Sequence, residues 1–282
     1  MTGLVPCFRW QGLSELRARD ALSTFVSGQL SATLFTIVVG LDRDPHNIEL
    51  PRILRDGETW GWKPRDEAWV RIYHRDFLTP SALHRRTFGP LSRFDHHTPM
   101  IEAPTACPAG RAVIYLAREI GTAAAEVFGE LEVSPVCPNW RLAWIRPTAS
   151  LEVQDMVGTA SMALGVRHSY GTMLGRTDLT QKLARRIYDQ HEELCGIRYA
   201  GASENGECLA LWERAPALEV VRDGEQACES SLTDPETWEE VSQEYAPTGL
   251  SLEPASPARC SRCQKAAAKR CNALGDSLSP AA

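Results

Sequence analysis

Three side chains in the middle of this chain are of types that could place a carboxylate in a cleft and bind phosphate oxygens beside it: Glu126, Arg93 and Arg71. Glu126 follows Thr122-Ala-Ala-Ala in a segment whose Ala123, Ala124, Val127 and Phe128 make an apolar helical face. At the edge of that face a carboxylate can reach into a cleft instead of bulk water, although the segment by itself fits a solvated helix glutamate better. Arg71 lies in Trp69-Val-Arg71-Ile-Tyr73 and Arg93 in Ser92-Arg93-Phe94-Asp95-His96-His97. A guanidinium is planar and donates in pairs, which suits phosphate oxygens, and two of them suit a pyrophosphate. From local sequence alone a structural salt bridge is the commoner role for each.

Metal chemistry has weaker support, and no metal site is expected. His96-His97 lacks a cysteine or carboxylate at ligand spacing, which places the pair at the surface or on a pocket rim. His191-Glu-Glu-Leu-Cys195 lacks the second histidine of a zinc-protease helix. Cys260-Ser-Arg-Cys263 with Cys271 resembles half a zinc site, but no fourth ligand follows, so a polar tail is the better reading. The chain has no G-x-G-x-x-G after a strand, no P-loop and no G-x-S-x-G elbow.

These side chains need short strands and helices to position them. Ala112–Ala117 is an apolar, β-branched run and reads as a buried strand, interrupted by Gly121-Thr122 before an alanine-rich helix. Trp140–Ile145, Leu151–Val153, Ile197–Tyr199 and Cys208–Trp212 are further candidate strands. Residues 177–190 form the clearest helix: Leu179, Leu183 and Ile187 share a face, and Asp178 and Gln181 have capping-box spacing. The expected organisation is an N-terminal extension over residues 1–50, a main α+β domain over 51–215, an acidic closing helix within 216–246 and a disordered tail over 247–282. The closing helix starts near Thr233-Asp-Pro-Glu236 and presents Trp238, Val241 and Tyr245; Pro, Ser and Ala dominate the tail.

Bulk properties narrow the function classes. A net charge of −6 leaves no cation excess for phosphate backbones, so direct nucleic-acid binding is not expected. Nine cysteines, an odd number with irregular spacing, fit reduced thiols better than a disulfide scaffold. The most apolar stretch, Leu30–Leu41, is too short to span a bilayer, and the start of the chain lacks signal-peptide features. The expectation is a cytoplasmic protein without a membrane anchor.

Taken in order, Trp69 to Tyr73, Ser92 to His97, Ala112-Val-Ile-Tyr115-Leu-Ala, Thr122-Ala-Ala-Ala-Glu126-Val, Gly196-Ile-Arg-Tyr199-Ala-Gly-Ala-Ser203 and Cys208-Leu-Ala-Leu-Trp212 resemble the RES domain family, named for its Arg, Glu and Ser. The resemblance covers residues 66–215. It implies a compact mixed-sheet fold related to ADP-ribosyltransferases. It implies NAD+ as a substrate, not a retained cofactor, cleaved at the nicotinamide–ribose bond by water or phosphate. Many members are toxins, so an antitoxin partner and a homodimer are implied as well. Glu126 matches the strand–turn–Ala-x-x-Glu pattern and Arg93 the Arg-aromatic-Asp step. Both take catalytic roles by this resemblance, together with Ser203. Arg71, Tyr115 and Tyr73 would bind NAD+, with Arg71 and Arg93 on the pyrophosphate. Two departures stand out. Leu91-Ser92 replaces a common Gly-Gly, with Gly89-Pro90 as the alternative turn. The family's serine position, two residues after Tyr199, is Gly201, which leaves Ser203 to be reached through a bulge. An ADP-ribosyltransferase acting on a macromolecule and a catalytically silent RES-like binding protein are the alternatives.

Overall fold

A computed structural model describes residues 55–76, 79–99, 103–166, 177–201 and 206–266. The expected N-terminal extension, Ser203 and Cys271 lie outside the described residues. In chain order the strands are β1 (Thr59–Trp62), β2 (Trp69–His74), β3 (Phe88–Gly89), β4 (Thr105–Ala106), β5 (Val113–Ala117), β6 (Val133–Val136), β7 (Trp140–Pro147) and β8 (Leu151–Asp155). There follow β9 (Gly196–Ala200), β10 (Glu207–Trp212), β11 (Leu218–Val220), β12 (Arg222–Asp223), β13 (Gln226–Ala227), β14 (Glu229–Ser231) and β15 (Ser251–Pro254). The helices are α1 (Ile120–Phe128), α2 (Ala160–Ala163), α3 (Thr177–Gln190) and α4 (Pro235–Tyr245).

One mixed sheet organises the molecule, in the order β1-β8-β9-β10-β5-β2-β7-β11, with β14 also on β7. Only β8 and β9 run parallel within it; their connection carries α2 and α3. The fold is therefore α+β, with a large sheet and few helices. Three two-stranded pairs, β3–β4, β6–β15 and β12–β13, decorate it.

Side chains alternate between the two faces of a strand, and the register decides which face each site residue joins. Trp69 and Tyr73 of β2, Ile114 and Leu116 of β5, Ala143 and Ile145 of β7, and Leu209 and Leu211 of β10 share one buried cluster. Trp62, Leu151 and Val153 join that cluster, so the sheet curls until Trp60 and Trp62 of β1 meet Trp69 of β2, with ring centroids 5.7 and 6.0 Å apart. The opposite face carries Tyr115, Tyr199, Cys208 and Trp212. On that side Tyr188 of α3 meets Trp212 edge-on at 5.2 Å.

Helix α1 buries Ala123, Ala124, Ala125 and Phe128. Gly121 and Thr122 belong to its first turn, so the residues expected to interrupt the chain instead begin the helix. The reason is α4: a Cβ on Gly121 would lie 2.5 Å from the Glu244 carbonyl oxygen, and only glycine permits that approach. Helix α3 has the expected bounds and buries Leu179, Leu183 and Ile187. The sheet also continues past residue 215, because β11 and β14 both add to β7. The tail differs from expectation too. Residues 251–254 pair in parallel with β6, a 3-10 turn spans Pro257–Arg259 and a helical turn begins at residue 261. Its Pro, Ser and Ala content concealed the buried Cys260 and Ala266, which anchor it. Among the described residues no helix is long and apolar enough to cross a membrane.

Candidate active site

Glu126 projects from the last turns of α1 toward the turn that carries Arg93. The Arg93 Nη2 donates to both carboxylate oxygens, at 2.9 and 3.0 Å. Arg93 is buried, with its guanidinium 5.0 Å from the Tyr199 ring centroid, whereas Glu126 keeps access to solvent. Phe94 stacks on the same Tyr199 ring at 4.5 Å. The pair is completed by backbone: a Cβ on Gly201 would lie 3.3 Å from Glu126 Oε1 and 3.3 Å from Thr122 Cγ2. Gly206 is closer still to Thr122, and the Gly201 N–H donates to the Gly206 carbonyl. The β9–β10 connection therefore starts and ends against the Glu126 helix.

Asp95 sets the shape of the Arg93 turn. Its fully buried carboxylate accepts from Arg86 Nη2 at 2.8 Å on both oxygens, from the Leu91 and Ser92 backbone N–H groups, and from the Tyr115 hydroxyl at 2.6 Å. Burial opposes its ionisation, but Arg86 and the converging donors outweigh burial and hold the carboxyl below its usual range. Gln181 of α3 adds a donor to the Ser92 carbonyl at 3.0 Å. Gln181 thus pins the turn across the molecule instead of completing a capping box with Asp178.

His96 and His97 are fully buried, not placed at the surface or on a rim. His96 Nε2 is 2.9 Å from Glu213, which also accepts from Tyr188 Oη at 2.5 Å and from the Ala112 N–H at 2.9 Å. Burial works against ionisation of Glu213, yet His96, Ala112 and Tyr188 bring its pKa down to about 2. Burial pushes both histidines down. His97 Nε2 lies 3.1 Å from the Arg86 carbonyl, so both rings brace the segment behind Arg93.

The expected site residues separate into two groups. Arg93, Glu126 and Tyr115 come together on one face of the sheet, with the Tyr115 hydroxyl engaged by Asp95. Arg71 and Tyr73 project from the opposite pleat of β2. Arg71 Nη1 donates to the carbonyls of Ala82 and His84, the latter at 2.9 Å, and burial brings the Arg71 pKa down to about 10. Tyr73 donates to Glu229 at 2.7 Å. Neither side chain faces Glu126. Asp95, Gln181, Tyr199 and Glu213 were not assigned from sequence. Asp95 and Tyr199 carried a signal, as members of the Arg-aromatic-Asp step and of the Gly-Ile-Arg-Tyr strand.

A separate group could hold a metal. His74, Cys137, Cys260 and Cys263 place their ligand atoms within 4.8 Å of one another. The expectation of no metal site rested on a missing fourth ligand for Cys260 and Cys263; β2 and the residue after β6 bring in two.

No curated protein matches the chain. Among solved structures, one described as the crystal structure of the M. tuberculosis MbcT–MbcA toxin–antitoxin complex aligns with a TM-score of 0.42 and 19% identity. That alignment covers 64% of this chain and 92% of the other. The RES domain matches residues 68–233, more than half of the sequence and all the strands from β2 to β14. The chain belongs to the RES domain family.

Proposed function

We propose that this protein consumes NAD+ by breaking the bond between nicotinamide and ribose, and that it acts in the cytoplasm as a toxin restrained by an antitoxin. The observation that carries the chemistry is the Arg93–Glu126 pair, in which a buried guanidinium orients a solvent-accessible carboxylate in a RES domain. The C1′–N bond breaks and nicotinamide leaves with the bonding electrons. Positive charge then develops at the ribose, as in glycoside cleavage. Glu126 accepts hydrogen bonds from the ribose hydroxyls and stabilises that charge through its fixed orientation. A water or phosphate oxygen forms the new bond to C1′, and an attacking water releases one proton to solvent. Arg93 also supplies a cation that faces the pyrophosphate. Ser203 supplies the family's serine from the β9–β10 connection, at whose flanking Gly201 an added Cβ would lie 3.3 Å from Glu126 Oε1. Tyr115 acts through Asp95 as a positioning residue.

Mass spectrometry of NAD+ incubated with the full chain tests this reading. Nicotinamide with ADP-ribose identifies water as the acceptor, and nicotinamide with a phosphorylated ADP-ribose in phosphate buffer identifies phosphate. Intact NAD+, or ADP-ribose found only as an adduct on protein or nucleic acid, would overturn it.

A further inference from the structure

We propose that His74, Cys137, Cys260 and Cys263 form a closed structural zinc site that clamps the C-terminal segment onto the sheet. The four ligands come from three distant parts of the chain. His74 ends β2, Cys137 directly follows β6, and Cys260 and Cys263 flank the start of the helical turn after Pro257–Arg259.

All four ligand atoms lie within 4.8 Å of one another, and the individual spacings fit a tetrahedron around one zinc ion. His74 Nε2 lies 3.5 Å from Cys137 Sγ, 3.6 Å from Cys260 Sγ and 3.3 Å from Cys263 Sγ, and the Cys137 and Cys263 sulfurs are 3.7 Å apart. Zinc bonds of about 2.3 Å to sulfur and about 2.0 Å to nitrogen put tetrahedral S···S pairs near ~3.8 Å and N···S pairs near ~3.5 Å. A disulfide needs sulfurs at about 2.05 Å, so the 3.7 Å pair is not one. Three thiolates and an imidazole are a soft, zinc-selecting set, and Cys-x-x-Cys is a recurring half-site.

The surroundings support the same reading. Asp76 Oδ2 sits 3.2 Å from His74 Nδ1, the carboxylate partner that fixes a ligating histidine with its other nitrogen toward the metal. Asn139 Nδ2 donates to Cys263 Sγ at 3.3 Å, and the Trp140 ring packs edge-on against His74 at 5.2 Å. His74, Cys137 and Cys260 are buried and Cys263 is half-buried, and a fourth protein ligand takes the position that a catalytic zinc keeps open, which makes the site structural. The clamp also reaches α1, because Phe128 packs on Trp140 at 4.9 Å. It stands independently of the NAD+ reading.

Metal analysis of the full chain, purified with reductant and without chelator, is expected to find about one zinc per molecule. Cys260→Ser and Cys263→Ser lose it, while Cys195→Ser, a thiol outside the cluster, keeps it. Cobalt exchanged into the wild-type protein gives the absorption of a tetrahedral thiolate site, a readout that needs no variant to fold. Strong chelation lowers the melting temperature and added zinc restores it. Wild-type protein that holds no zinc and gives no thiolate–cobalt spectrum would overturn the site, as would undiminished zinc in Cys260→Ser.

Discussion

Asp95→Asn is the perturbation that most sharply tests how the Arg93 turn is built. Leu91 and Ser92 N–H groups converge on one carboxylate oxygen, Tyr115 on the other, and Arg86 on both. An asparagine offers one oxygen and one NH2, so its amide must confront donors on one side, and Arg86 loses its counter-charge. Breaking a buried ion pair by removing one partner costs roughly 3–5 kcal/mol. At about 2–4 °C per kcal/mol for a domain of this size, the melting temperature falls by about 6–20 °C. Thermal and urea melts followed by circular dichroism read this directly. Acid adds a second readout. Because the folded carboxyl titrates below its ordinary 3.8, the stabilisation is complete above that pH and is lost as pH falls through the lower, folded value. The variant should therefore lose less stability than wild type between about pH 5 and pH 3. A change smaller than about 1 kcal/mol, with an unaltered acid limb, would refute the role given to Asp95.

Arg71→Met should destabilise by roughly 1.5–3 kcal/mol, through loss of its bonds to the Ala82 and His84 carbonyls, with KM for NAD+ little changed. A tenfold rise in KM would return Arg71 to the site. Gly121→Ala should cost about 1–3 kcal/mol in a urea melt, because its Cβ meets backbone of α4 at 2.5 Å; a neutral effect would contradict that packing. His96 and His97 are pushed below 6.5 by burial, so the unfolded chain takes up protons first as pH drops. Stability should decline from about pH 6.5 downward, and a flat urea midpoint between pH 7.5 and 5 would contradict their burial as neutral rings.

The local elements were legible because their signals are local. The four-residue recurrence of Leu179, Leu183 and Ile187 defines α3, and the apolar runs at 113–117 and 208–212 define the two central strands. The Glu126 helix and the Arg93 turn were likewise readable from the order of short motifs. Face assignment was not. Arg71 and Tyr115 both sit among apolar residues, and only the register Val70↔Ala117 between β2 and β5 puts them on opposite pleats. Burial of His96 depends on Glu213, far along the chain, and neither local sequence reports the other. The metal cluster escaped for the same reason: Cys260 and Cys263 are neighbours in sequence, but His74 and Cys137 join them only through folding. A glycine in the family's serine position was visible from sequence; that a side chain there would crowd Glu126 was not.

The central claim is that Glu126, oriented by Arg93, carries the cleavage of NAD+. The most direct test is the rate of nicotinamide release by Glu126→Gln beside wild type, with both proteins shown by thermal melt to be equally folded. Loss of a preorganised charge at the reacting centre predicts a fall of at least about 100-fold. Release by the variant at close to the wild-type rate would contradict the account.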